Sequence, residues 1–213
     1  MSDTLDAIVV GAGSAGLAAV REIGKRTDRF LLVNDGPYGT TCARVGCMPS
    51  KVLIEAANAF HKREIFDTMG IRGGAGLSVD LPAVLARVRA LRDDFVAGTL
   101  KLTDRLGDRS VAGRATILGP GRVEVAGREY RARSIVLATG SSPVVPKPWR
   151  AFGDRILTTD TLFEQQTLPG RLAVVGLGAI GVEIAQALSR LGVQVWGFDA
   201  AERLAGVAEV LAP

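Results

Sequence analysis

The chain has 213 residues, 47% of them hydrophobic, with 26 basic against 22 acidic side chains and a net charge of +4. Two cysteines and one histidine are too few for a four-ligand structural zinc site. The charges are dispersed, with no basic block or basic–aromatic interleaving to suggest nucleic acid, and no apolar run approaches the ~18–20 residues of a membrane span. A glycine motif begins at residue 11, so no targeting segment is expected ahead of it, and a cytoplasmic, reducing setting follows as the expectation. The length suits one large or two small domains.

Residues 5–10 form a short apolar run rich in Val and Ile, the pattern of a parallel strand buried on both faces. Gly11-Ala12-Gly13-Ser14-Ala15-Gly16 follows. Leu17, Ala18, Val20 and Ile23 then continue at helical spacing towards a second apolar run at 30–33. Strand, GxGxxG, helix and strand together are the dinucleotide-binding fingerprint in the context it requires. Gly11 permits the tight turn, Gly13 lets the backbone approach a pyrophosphate, and Gly16 lets helix and strand pack closely. The pyrophosphate belongs at the helix N-terminus, by Ser14 and Ala15. An acidic residue is expected at the end of the second strand to hold the ribose hydroxyls. Here that position is Asn34, an uncharged acceptor, followed by Asp35.

Residues 39–51 read GTTCARVGCMPSK and hold both cysteines, Cys42 and Cys47. Taken alone they are either two inert core thiols or a working dithiol. Pro49 and the apolar positions after it open a helix, so Cys47 lies near a helix N-terminus, where the dipole favours negative charge. Lys51, one turn on, adds positive charge. A thiol so placed is nucleophilic and readily oxidised by its neighbour.

The helix is expected to continue over 52–66. His61 falls on it and reads as a surface residue with no acidic partner arranged for it. After a glycine-rich turn at 70–78, Asp80 as N-cap and Pro82 start a second helix, expected to reach about residue 106 and to pack antiparallel on the first. Its apolar stripe is Val84, Leu85, Val88, Leu91, Phe95 and Leu102. Alternating runs at 115–118, 122–125 and 129–132, separated by Gly119-Pro120-Gly121 and Gly127-Arg128, predict a small antiparallel meander. A further strand at 134–137 ends in Ala138-Thr139-Gly140. Pro143, Pro146, Pro148 and Trp149 mark a linker, and Pro169-Gly170 another boundary. Residues 172–175 repeat the buried-strand pattern and Gly176-Leu177-Gly178-Ala179-Ile180-Gly181 repeats the fingerprint. A helix to residue 191 and a strand over 193–198 follow, ending at Asp199. A carboxylate there accepts from a ribose 2′-hydroxyl and repels a 2′-phosphate. No basic pair replaces it, Arg203 lying four residues on, so NAD is favoured over NADP.

GTTCxxxGCMPSK between two fingerprints closely resembles the redox motif of the FAD-dependent pyridine nucleotide–disulfide oxidoreductases, the family of dihydrolipoyl dehydrogenase, glutathione reductase and mercuric reductase. The resemblance covers the whole chain, while the chain covers less than half of the family's length. It implies an α/β fold: a Rossmann-type FAD-binding domain over 1–148, with a helical pair at 49–107 and an antiparallel β-meander at 111–133, and the start of a second Rossmann NAD-binding domain over 149–213. It further implies that Cys42 and Cys47 form the redox-active disulfide, Cys42 exchanging with substrate and Cys47 facing the flavin. Lys51 would sit near the flavin N5, with Glu183 as its ionic partner.

FAD is then expected along Gly11, Gly13, Ser14, Ala15 and Gly16, at Asn34 and Asp35, and at Thr40, Thr41, Cys42 and Lys51. Ala115 and the turn at Ala138, Thr139 and Gly140 complete that set. NAD is expected at Gly176, Gly178, Ala179, Ile180, Gly181 and Asp199, and no metal is expected. By the same resemblance, electrons pass from dihydrolipoamide through the disulfide and FAD to NAD. The partner is a small dithiol or disulfide, carried on a lipoyl domain of a 2-oxoacid dehydrogenase complex, and a longer parent chain is a homodimer. A glutathione or mercuric reductase-like relative, or a non-catalytic nucleotide-binding module, are the alternatives. The motif departs from the commoner GGTCxNxGC form, which leaves the subfamily open. The family's later Gly-Asp segment and its interface domain with a His–Glu pair are not in the sequence, and the end at 210–213 reads as a truncation. The 213-residue chain is therefore expected not to turn over by itself.

Overall fold

The computed structural model describes residues 4–201; Arg203 and the closing residues 210–213 lie outside them. Among the described residues, packing groups those up to 46 with 92–159 as one unit, and 47–91 with those from 160 onward as a second.

In the first unit the sequence patterns become a six-stranded sheet of order β3-β2-β1-β6-β5-β4. β1 (Leu5–Val10) and β2 (Phe30–Asn34) run parallel, with Ala7 opposite Phe30 and Val9 opposite Leu32. The strand period of two sends Ala7, Val9, Phe30 and Leu32 to one face, where Val20 of α1 (Ser14–Ile23) joins them. Ile8, Leu31 and Val33 go to the other face, with Val123, Val125 and Ala132. Both faces are covered, which is why β1 and β2 read as unbroken apolar runs.

The strands expected at 129–132 and 134–137 are one ten-residue strand, β6 (Arg128–Leu137). Its first part pairs antiparallel with β5 (Arg122–Val125), and from Ala132 onward it pairs parallel with β1. Arg133 and Ser134 interrupt the apolar pattern, but both are exposed where the strand passes from one neighbour to the other. β4 (Ala115–Gly119) completes the meander, and β3 (Ser110–Ala112), too short to show a period, adds to β2 in parallel. A one-turn helix, α2 (Thr41–Arg44), precedes the second cysteine.

The second unit is built from distant segments. β7 (Arg171–Val175) and β8 (Gln194–Phe198) form a parallel pair, Leu172 opposite Val195. α6 (Ala179–Arg190) packs on that pair and on α3 (Cys47–His61). α6 was not the neighbour expected for α3. The helix expected to reach residue 66 stops at His61; 62–65 and 67–69 are 3-10 turns, and Gly70 at φ 76° ends them. Ile65 and Met69 in these turns are more than half exposed, so their apolar side chains meet no packing surface that would extend the helix. Asp80 accepts from the Ala83 amide at 3.0 Å and caps α4 (Leu81–Asp104), within which the boundary between the units falls. Its expected stripe divides: Leu85 and Val88 are fully buried, while Phe95 and Leu102 are 45% and 53% exposed. α5 (Thr159–Leu162) is a single turn. No helix among the described residues is long and apolar enough to cross a membrane.

One ion cluster stabilises the meander. Arg122 and Arg131 are direct cross-strand partners, an arrangement of like charge that destabilises a sheet. Glu129 offsets it, accepting from Nε and an η-nitrogen of Arg122, each at 2.9 Å, and from Arg131 at 3.1 Å. The Arg122 hydrogen bonds above all hold the Glu129 carboxyl down at about 2 from its ordinary 4.5. A lowered folded pKa stabilises the fold above the unfolded value and is lost as pH falls through the folded one. Glu129→Gln should therefore unfold at lower urea than wild type at pH 7, with the gap closing as pH falls from about 4.5 towards 2; urea melts across that range measure it.

Candidate functional site

The first glycine loop is set by close approaches. Gly11 has φ 107°, and a Cβ on it would lie 2.2 Å from the Ala138 carbonyl oxygen; one on Gly16 would lie 1.8 Å from the Gly11 carbonyl oxygen. These two glycines are required by the protein's own backbone. A Cβ on Gly13 would meet nothing within 4 Å, so that position is open on its outer side. The first turn of α1, which contains Ser14, Ala15 and Gly16, has no side-chain cap, leaving backbone N–H groups there for an anion. Ala138 donates to Val10 at 2.8 Å, so the 138–140 turn continues directly from the sheet, with Gly140 at φ 68°. Ala115 packs at the edge of the core on the face opposite α1.

Asn34 is tied into this loop. Its Oδ1 accepts from the Ala12 amide at 3.0 Å, and its Nδ2 donates to the Gly36 carbonyl at 2.9 Å. Asp35 is exposed, its carboxylate 3.8 Å from Arg114. The sequence pattern had singled out neither Ala12 nor Gly36.

The second loop repeats the arrangement within the other unit. A Cβ on Gly181 would lie 1.8 Å from the Gly176 carbonyl oxygen, and one on Gly178 would meet nothing within 4 Å. α6, which begins at Ala179 and Ile180, has no side-chain cap. Asp199 accepts from the Leu177 amide and, at 2.8 Å, from the Ala201 amide. These N–H groups, Ala201 first, hold the Asp199 carboxyl below its ordinary value. The amide and side chain are 22 residues apart in both loops, a spacing that would have revealed the anchors in the sequence.

Around the cysteines, Thr40 stands at φ 48°, a backbone region that side chains rarely adopt, and its Oγ1 accepts from the Ala43 amide at 3.1 Å. Thr41 and Cys42 lie within α2. A Cβ on Gly46 would lie 2.9 Å from the Thr41 carbonyl oxygen, so glycine is needed for this turn. Cys47, an exposed free thiol, is the first residue of α3. Lys51, one turn on, donates to both carboxylate oxygens of Glu183 at 2.6 Å, joining α3 to α6. Two turns further along each helix, Arg190 donates to Asn58 at 2.5 Å, a contact with no sequence signal. His61 does have an acidic partner, contrary to the sequence expectation: Glu64, one turn on, lies 3.2 Å from its Nδ1.

The family described as pyridine nucleotide-disulphide oxidoreductase matches residues 5–211. The dihydrolipoyl dehydrogenase of Chlamydia pneumoniae is 31% identical over 210 residues, which are 97% of this chain and 45% of that protein. A mercuric reductase of Lysinibacillus sphaericus is 30% identical over 206 residues, 95% of this chain and 37% of its own length. Among solved structures, the HOCl-induced flavoprotein disulfide reductase RclA from Escherichia coli is similar with a TM-score of 0.77 at 24% identity, a likeness of fold that covers 93% of this chain and 43% of that one. LpdA from Mycobacterium tuberculosis gives 0.76 at 26% identity, over 93% and 46%. The chain thus spans less than half the length of these relatives.

The glycines separate folding from binding. Gly16→Ala should lower the thermal midpoint by several degrees, as overpacking costs about 1–3 kcal/mol. Gly13→Ala should leave the midpoint unchanged and weaken FAD binding by about tenfold or more, since its methyl occupies the path of a pyrophosphate. Thermal unfolding beside an FAD titration distinguishes the two.

Proposed function

Because this chain belongs to the pyridine nucleotide-disulphide oxidoreductases, an FAD-dependent family of flavoprotein oxidoreductases, we propose that it carries the flavin side of a dihydrolipoyl dehydrogenase, an enzyme that oxidises a dihydrolipoyl dithiol with NAD as final acceptor. The observation that supports this most is the second unit's own arrangement: Cys47 opens α3, and one turn on Lys51 is held by Glu183 of the helix that follows the second glycine loop. FAD fits the first loop, with its open Gly13 and uncapped α1, and supplies a two-electron relay between dithiol and nicotinamide. NAD fits the second loop, whose Asp199 provides the carboxylate for a ribose.

At the chain's own atoms the chemistry is thiol–disulfide exchange. One substrate thiolate attacks Sγ of Cys42; the Cys42–Cys47 bond breaks and Cys47 leaves as a thiolate. The second substrate thiol loses its proton and attacks the mixed disulfide, releasing Cys42, which takes up a proton. The substrate dithiol is oxidised to a disulfide and the protein disulfide is reduced to a dithiol, so two electrons change hands. The first turn of α3 favours negative charge on the Cys47 sulfur. The carboxylate of Glu183 fixes the Lys51 ammonium nearby.

Mercuric reductase is matched at nearly the same identity as the dehydrogenase, so the test carries both reductants. Air-oxidised protein alkylated without reductant should show neither Cys42 nor Cys47 labelled by mass spectrometry. Incubation with dihydrolipoamide before alkylation should expose both. Full labelling in the air-oxidised protein would sink the redox role. Failure of dihydrolipoamide to expose either thiol, where NADPH with added FAD exposes both, would move the assignment to the mercuric relatives.

Asp199→Asn keeps an acceptor for the Leu177 amide and removes the charge. It should bring the Kd values for NAD and NADP closer by about tenfold or more, because the repulsion of a 2′-phosphate is lost. An unchanged ratio would mean that another residue reads the ribose.

A further inference from the structure

The two glycine loops share their geometry but differ in polarity at one point. In the second loop the side chain that ends the strand accepts twice, from the amides of Leu177 and Ala201. In the first it accepts once, from the Ala12 amide, and donates once, to the Gly36 carbonyl. The positions correspond: the anchors lie 22 residues before and 2 residues after the side chain in both loops. Residue 36 thus presents its carbonyl oxygen where residue 201 presents its N–H.

We propose that Asn34 is a positioning residue that braces the first dinucleotide loop by joining the Ala12 amide to the Gly36 carbonyl, and that it is not that loop's ribose acceptor. Its two partners leave the amide a single orientation, since a flipped amide would set donor against donor at Ala12 and acceptor against acceptor at Gly36. Gly36 stands at φ 124°, a conformation side chains rarely adopt, so the backbone that turns this carbonyl to Asn34 depends on glycine. A carboxylate at position 34 could still accept from Ala12 but would face the Gly36 oxygen with no proton between them. The missing acid at the end of β2 is therefore a match to the local backbone, and the fingerprint's usual residue would damage the loop here.

The binding arm of the test rests on the reading of this loop as the FAD site; the stability arm does not. A ribose acceptor and a brace predict opposite signs for Asn34→Asp. As a brace, Asn34→Asp weakens FAD binding at pH 7–8 by about tenfold and lowers the thermal midpoint. That midpoint deficit shrinks as the pH is taken towards about 5, because a protonated carboxyl donates to Gly36. Asn34→Ala shows a deficit that does not change with pH. Asp35 and Arg114, the charged neighbours at 3.8 Å from each other, are present in every variant and cancel in the comparison. FAD affinity equal to or tighter than wild type in Asn34→Asp at pH 7–8 would overturn the proposal. So would a midpoint deficit with the same pH profile as that of Asn34→Ala. Should the wild-type protein take up no FAD, the proposed function fails, and the midpoint profiles alone decide for or against the brace.

Discussion

The structure depends on one close approach, made twice. The helix after each glycine motif begins so near its strand that the last glycine of the motif faces the carbonyl oxygen of the first, with no room for a methyl group between them. This contact fixes where α1 and α6 start, and so where their uncapped first turns point backbone N–H groups. It also leaves the middle glycine as the member of each motif with a negative φ and open space around it. Three residues of one type thus stand in different surroundings, two packed against each other and one open, a division that the motif alone does not reveal.

A second constraint is the double use of β6. One strand belongs to the antiparallel meander at its start and to the parallel layer at its end. The meander is therefore covalently continuous with the sheet that carries the first loop, and its residues Val123 and Val125 cover the face that α1 leaves open. The 138–140 turn emerges from β6 directly against Gly11, so the same strand also closes the loop on its inner side.

Most of this was legible where a local rule dominates. The strand at 5–10, the two fingerprints, the Asp80 cap and the strand pair flanking α6 are each set by period, capping or glycine geometry within a few residues. The neighbours were less legible. Glu64, one turn from His61, is a pair that the i,i+3 spacing already offered, but the packing of α3 on α6 and the contact of Arg190 with Asn58 join residues 132 apart, a pairing that no local pattern encodes. The split of the α4 stripe between buried Leu85 and exposed Phe95 has the same origin: helical spacing says which side chains share a face, and only the tertiary surroundings say where that face is covered. At the site, the sequence named Asp199 through the fingerprint and Lys51 and Glu183 through resemblance; the repeated 22-residue spacing points to the Ala12 and Leu177 anchors, while the Gly36 and Ala201 partners needed the fold.

The two contacts between α3 and α6 span the same sequence separation, 132 residues, so the helices run in the same direction and in register. This has a consequence for how the protein is made. The helix that opens with Cys47 has no α6 to pack against until 132 further residues have been synthesised, on the order of ten seconds at about 5–20 residues per second. Contacts so far apart are entropically costly to close and slow to form. During that interval the first unit is not complete either, since its central strand β6 ends only at Leu137. The nascent chain therefore exposes the segment that holds Cys42 and Cys47 well before either unit is complete.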